Sequence, residues 1–242
     1  MSFKQKTDPY SIADGSSLVV LSTTGGETAS NAEAIGEDGS IVANTVYGAT
    51  SAPSCDLALK ADISKNAGDW KVGAVSTSNS KKYALGRITI STSAGAAPSL
   101  SVSGEQVQDD AATGCYYPVP AFALSKKHHA QILFSAFSLG DVAGVHLVSA
   151  NYEISGQISK VTKEGNCIAF DIIQGRIEVT VTLKQCGSAA PALTAGTGFS
   201  ITSPLAETNP DAEYATFTAT LVKYLEKAEV AVTTTQSQSQ PA

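Results

Sequence analysis

Charge is scarce in this chain. Of its 242 residues 16% are Asp, Glu, Lys or Arg, and the balance is −6. Specific nucleic-acid binding relies on clustered Lys and Arg that displace phosphate counterions, so a mildly acidic chain argues against it. The same balance argues against an anionic membrane surface as partner. No apolar run approaches the roughly 20 residues that span a bilayer. The opening MSFKQKTDPYS has no hydrophobic core, so no secretory signal is expected. Leu and Glu are sparse beside Ser, Thr, Ala, Gly and Val. Long helices depend on strong helix formers, and this mixture leans to β-structure.

Catalytic signatures are missing too. The four cysteines, Cys55, Cys115, Cys167 and Cys186, form no Cys-x-x-Cys pair. Reduced, mostly buried thiols are expected in a cytoplasmic product, rather than disulfides or a metal site. The three histidines follow no metal-binding spacing. His128 and His129 follow Lys126-Lys127 and read as a solvated basic patch or an interface. His146 lies in the apolar GVHLV and reads as a packed or interface residue. There is no G-x-S-x-G elbow and no phosphate-binding P-loop, and Gly196 and Gly198 form only a lone G-x-G. Asp109-Asp110 and Glu207/Asp211/Glu213 are acidic loop clusters, since oxygen ligands alone do not define a Ca²⁺ site. Tyr116-Tyr117 before Pro118 can be an exposed recognition patch or a buried anchor. Trp70, the single tryptophan, is expected in the core. No enzyme, cofactor, metal or specific nucleic-acid site follows from these residues.

What the chain does contain is alternation of apolar and polar residues, the mark of half-buried strands. It is clear in LALKADI (57–63), in IEVTVTL (177–183) and in YATFTATLVKY (214–224). Asp14-Gly15, Asp38-Gly39, 66–69, 79–82 and 163–166 read as turns. Residues 22–31, STTGGETASN, and 48–54, GATSAPS, read as loops. The spacing predicts one short helix near 125–137, with Ser125 as cap and good helix formers in KKHHAQ.

One block occurs twice. Residues 86–100 read GRITISTSAGAAPSL and residues 175–193 read GRIEVTVTLKQCGSAAPAL. An Ile-Ser-Lys precedes each, at 63–65 and 158–160. The reading is a mainly β chain of two related β-sandwich or barrel units from an internal duplication. Its parts are an N-terminal arm (1–17), a first unit (18–108), a linker (109–120), a second unit (121–230) and a polar tail (231–242). The arm is expected to order only against a neighbouring subunit. The tail is too polar to pack.

The closing block, GFSITSPLAETNPDAEYATFTATLVKYL (198–225), resembles the C-terminal part of tailed-bacteriophage major tail tube proteins: a strand, an acidic loop and a final amphipathic strand. The arm, the duplication and the helix candidate extend the likeness. The resemblance implies a structural virion protein, made in the host cytoplasm, that assembles with itself into stacked rings. The rings are hexamers, or trimeric pseudohexamers if the chain is duplicated. They contact other tail proteins and pass DNA as non-specific cargo, without a membrane. It supplies no catalytic residues. The candidate subunit-interface residues are Tyr10, Asp14, Arg87, His128, His129 and Arg176. The alternatives are another virion component (head decoration, neck or baseplate) and a carbohydrate-binding or adhesin β-sandwich.

Overall fold

A computed structural model describes residues 8–25, 27–35, 41–107, 115–141, 143–163, 166–187, 190–208 and 214–229. In chain order its strands are β1 (Leu18–Thr24), β2 (Glu27–Ile35), β3 (Ile41–Ser51), β4 (Ser54–Leu59), β5 (Ile63–Lys65) and β6 (Lys71–Val72). There follow β7 (Val75–Ser78), β8 (Lys81–Ser93), β9 (Ala96–Val107), β10 (Cys115–Pro118), β11 (Phe122–Leu124) and β12 (Phe137–Leu139). The chain closes with β13 (Val145–Lys163), β14 (Asn166–Gln185), β15 (Leu193–Ala195), β16 (Ser200–Glu207), β17 (Thr216–Tyr224) and β18 (Ala228–Glu229).

Eight of these strands lie side by side in the order β1-β4-β9-β8-β13-β14-β17-β16, with β7 added beside β8. Every pairing is antiparallel. Successive side chains of a strand point to opposite faces, so the register decides which residues share a face. One cross-sheet row reads Val20, Leu57, Leu100, Ile90, Tyr152, Val179, Leu221, Ile201. A row on the opposite face reads Ser22, Asp56, Ser101, Thr89, Glu153, Glu178, Val222, Ser200. One face is therefore apolar across the whole sheet and the other is lined mainly by hydroxyl and carboxylate side chains.

The apolar face needs a cover, and the chain supplies it from connecting segments. Trp70, Val119, Phe122, Leu124, Leu133 and Phe137 are buried in the same cluster as the sheet's Ile88, Ile90, Ile154 and Val179. A chain of ring contacts crosses this layer. Trp70 meets Phe122 at 5.1 Å, Phe122 meets Phe134 at 5.4 Å, and Phe134 meets Tyr152 at 5.7 Å. Trp70 is thus in the core, as expected from sequence. Small sheets tie the cover down: β5 pairs with β11, β12 with β15, and β10 with both β6 and β18.

The expected helix near 125–137 is not there; among the described residues there is no helix. Residues 126–129 form an exposed bend, and the chain then runs extended to a turn at Phe134-Ser135, both with positive φ. The polar groups a helix would have paired internally are taken by the sheet. The Leu133 N–H donates to the Tyr152 hydroxyl at 2.9 Å, and that hydroxyl donates to the Gln131 carbonyl at 2.6 Å. The Gln131 N–H donates to Oγ1 of the buried Thr92 at 3.2 Å. Helix propensity is a weak term, and covering the apolar face outweighs it.

Two expected loops are largely strand: 27–31 falls in β2 and 48–51 in β3, which pair as the β2–β3 hairpin. Their small polar residues carry no apolar alternation, so the backbone ladder is invisible to periodicity. Within the first repeat block the turn is Ala94-Gly95, and Ala96–Pro98 already belongs to β9. The turn at Asn79-Ser80 is as expected, with positive φ at both residues, the geometry that suits a two-residue hairpin loop. The linker proposed at 109–120 lies outside the described residues up to 114, and then continues as β10. The tail at 231–242 also lies outside them.

Tyr152→Phe removes the hydroxyl and leaves the buried Leu133 N–H unpaired. The expected loss is about 1–3 kcal/mol of folding stability, read from urea unfolding at unchanged m-value.

Candidate functional site

The polar face of the long sheet and its two outer strands are the surface on which function can be sought. Hydroxyls join neighbouring strands across this face. Ser22 donates to Asp56 at 2.6 Å, Thr24 and Ser54 share a 2.6 Å contact, and Ser91 donates to Asn151 at 2.6 Å. Glu153 and Glu178 stand directly opposite each other on β13 and β14. Like charges so placed repel. Each is compensated by an arginine: Arg87 Nε lies 3.4 Å from Glu153, and Arg176 lies 3.2 Å from Glu178.

The two repeat blocks meet here. Arg87 on β8 and Arg176 on β14 both stand in register with Ser155 of β13, one on each side. Sequence reading expected equivalent places in two units. Instead β8 and β14 flank the same strand, and both arginines engage glutamates of this chain. Next to them the β13–β14 ladder is irregular, between Ser155 and Gln157, and Gln174 takes a positive φ. The long hairpin beyond that bulge packs Phe170 against Ala84 and Val107 at the far ends of β8 and β9. Gly175 opens the second block for a packing reason. A Cβ there would fall 2.2 Å from Cγ of Tyr117, whose buried ring lies on the glycine. Tyr117 is therefore an anchor, while the half-buried Tyr116 ring carries the Lys71 ammonium at 4.7 Å.

Of the other candidates, Tyr10 is buried in its own chain. Its ring meets Tyr83 edge-on at 6.2 Å, and its hydroxyl donates to the Pro53 carbonyl. Burial raises its pKa, the expected direction for a phenol out of water. Ile12 is buried beside it, so from residue 8 onward the expected free arm is part of the fold. Asp14 stays exposed and orders the turn that leads into β1. Its Oδ1 accepts the N–H groups of Leu18 at 2.9 Å, Ser16 at 2.8 Å and Ser17 at 2.7 Å. These bonds, Leu18 foremost, hold its pKa down from 3.8 to about 2. His128 and His129 are exposed on the 126–129 bend, remote in chain and sheet from the arginines. His146 is also exposed, on β13 opposite Lys184, and is not packed. Cys55 and Cys115 are buried as expected, whereas Cys186 is exposed. Among the described residues no group of three or more His, Cys, Asp or Glu converges as a metal site.

The outer strands are the feature that sequence reasoning did not single out. Among the described residues β1 pairs only with β4 and β16 only with β17. Each carries an exposed large apolar residue, Leu21 at 51% and Ile201 at 41%. Leu21 is the extra residue of a bulge in β1. An unpaired strand edge is a template for a further strand, and proteins normally blunt it. β16 is blunted in its second half, where Pro204 has no N–H and the ladder is irregular. Residues 200–203 remain available. A scan against protein-family models finds no match to this chain, and a search of curated proteins finds none either.

Asp14 gives a pH-dependent prediction. Its folded pKa is depressed, so its contribution is complete above 3.8 and is lost as pH falls toward about 2. Asp14→Ala should be less stable than the parent at neutral pH, by about 1 kcal/mol given how exposed the carboxylate is. The two should converge in acid. A constant offset from pH 7 to pH 2 in denaturant melts would disprove the assignment.

Proposed function

We propose that this chain is a structural virion protein that joins copies of itself edge to edge into rings, the rings stacking as a tail tube through which DNA passes. The observation that carries the reading is the order of strands on either side of the β8–β13 seam. In the first half, β1, β4, β8 and β9 lie as first, second, fourth, third. In the second half, β13, β14, β16 and β17 lie in that same order. A four-strand pattern therefore occurs twice in tandem, and the chain contains one complete joint between two such sets. The free edges, β16 and β1, are of the same kinds as the two strands that meet at that joint. A β16 edge meeting β1 of the next copy would repeat it.

The register supports the same reading. At the internal joint Ile90 stands opposite Tyr152, within the apolar row that ends in Ile201 on one side and Val20 on the other. Continuing the row places Ile201 opposite Val20 of the next copy. Exposed Ile201 and Leu21 would then be covered. This strand-order repeat supports a duplicated chain, three of which supply six four-strand sets and close as a pseudohexamer. It does not superpose on the Gly-Arg-Ile echo, which lies on the third strand of one set and the second of the other. The face that would line the passage is rich in hydroxyls, and its two arginines are paired with glutamates. DNA phosphate would meet few free cations there, in a chain of net charge −6. The adhesin alternative calls for an exposed aromatic platform; Trp70 is 4% exposed within the core, and the exposed Tyr214 and Tyr224 lie at opposite ends of β17.

Purified protein imaged by negative-stain microscopy should show rings or tubes. Particles that remain single chains at every concentration would overturn the proposal. Ile201→Arg should abolish assembly while its thermal unfolding stays close to the parent's, because Ile201 is already partly solvated. Cysteines placed at Val20 and Ile201 should give an intermolecular disulfide in assembled material, with the linked peptides identified by mass spectrometry.

A further inference from the structure

A second cluster lies where the segment between β17 and β18 meets β10 and β14. Cys115 begins β10, Asp171 lies on β14, and Lys227 sits between β17 and β18. The Cys115 thiol donates to Oδ1 of Asp171 at 2.6 Å. The Lys227 ammonium donates to that same oxygen at 3.1 Å and to Oδ2 at 3.1 Å. A thiol and an amine thus share one carboxylate oxygen, so sulfur and nitrogen lie no further apart than those two bonds laid end to end. Cys115 is 7% exposed, but the Asp171 and Lys227 side chains are 50% and 41% exposed, so the cluster is open to small solutes on one side. Contact with Cys115 first, then Asp171, raises the pKa of Lys227, and the bonds from Cys115 and Lys227 lower that of Asp171. Neither the hydroxyl face nor the free edges use these groups.

We propose that Cys115 and Lys227 are a modification site at which peroxide makes a covalent sulfur–nitrogen bridge between β10 and the C-terminal segment. In the first step the sulfur attacks one peroxide oxygen and the O–O bond breaks. The thiol proton, already aimed at Asp171, passes to the departing oxygen, which leaves as water. The sulfur is oxidised by two electrons to a sulfenic acid and the peroxide is reduced. In the second step Lys227 gives up a proton through Asp171, and its nitrogen attacks the sulfur. The S–N bond forms and the S–O bond breaks; the hydroxyl takes the proton held on Asp171 and leaves as water, and the nitrogen's second proton passes to solvent. The overall change is loss of two hydrogens from thiol plus amine, with one peroxide converted to two waters. Sulfenic acids condense reversibly with a backbone nitrogen to sulfenamides, and here the Lys227 amine takes that nitrogen's place.

The bridge would act where the segment is held weakly. β18 is a two-residue strand paired with β10 through Cys115–Glu229 and Tyr116–Ala228. A covalent link at Lys227 closes that pairing from the side of β17, so oxidation holds β18 on β10 and reduction releases it.

The test treats the full-length protein with hydrogen peroxide at neutral pH and maps its proteolytic peptides by mass spectrometry. The expected product is a peptide pair joined between Cys115 and Lys227, about 2 Da lighter than the separate peptides and released by dithiothreitol. The pair should fall below detection in Cys115→Ser and in Lys227→Arg. Lys227→Arg keeps the ion pair and the fold, and its Cys115 should still reach the sulfenic acid, trapped by dimedone. Exposed Cys186 is the internal control for peroxide reaching thiols. Dimedone-labelled Cys115 without any bridge in the parent protein would overturn the proposal. So would labelled Cys186 beside unreacted Cys115.

Discussion

The structure depends on one constraint: a single register carried through eight antiparallel strands. Tyr152 stands at its centre, between Ile90 and Val179, with neighbours on the row that reaches both edges. Any one-residue slip would turn its ring, and the row with it, toward the polar face. The hydroxyl of Tyr152 adds a second requirement. It has to meet the Leu133 N–H and the Gln131 carbonyl, so it holds the covering segment over the apolar face. Sheet register and cover are thereby coupled in one side chain.

The cover explains how a chain with one tryptophan builds a continuous core. Trp70, Phe122, Phe134 and Tyr152 relay ring contacts between the layers, among the buried Leu, Ile and Val side chains of the sheet. Aromatic pairs at such distances add to plain area burial. The polar face is maintained differently. Its hydroxyls and paired ions satisfy one another locally, which leaves the face smooth in charge and open. Among the described residues, a sheet with one covered face, one hydroxyl face and two edge strands that pair on one side only is incomplete in the direction across its strands. That incompleteness carries the assembly reading more than any single residue does.

The strands with strict alternation were legible because their period of two survives in the sequence. IEVTVTL and YATFTATLVKY appear as β14 and β17 with Val179, Val181, Ala219 and Leu221 buried, as the pattern predicts. The 27–31 and 48–51 segments of the β2–β3 hairpin were not legible as strand, because small residues such as Ala, Ser, Thr and Asn carry no apolar alternation there. The helix expectation at 125–137 failed for a related reason. Good helix formers in KKHHAQ describe a local preference, whereas Leu133 and Phe137 answer to a distant sheet. Arg87 and Arg176 were picked out by the repeated block. Glu178 lies two residues beyond Arg176 on the same strand, whereas the pairing of Arg87 with Glu153, and the strand that separates the two arginines, depend on which strands become neighbours.

Composition and alternation alone thus determined that this is a β protein of light charge, with Trp70 inside and hydroxyl-rich strand faces outside. These are properties of local period and solvation. Tertiary structure decided the strand order, the tandem four-strand pattern, the pair of free edges and the meeting of Cys115, Asp171 and Lys227. Each of these depends on pairing between segments far apart in the chain. Such pairing is set by register and by the burial of one whole face, and a short window of sequence does not contain it.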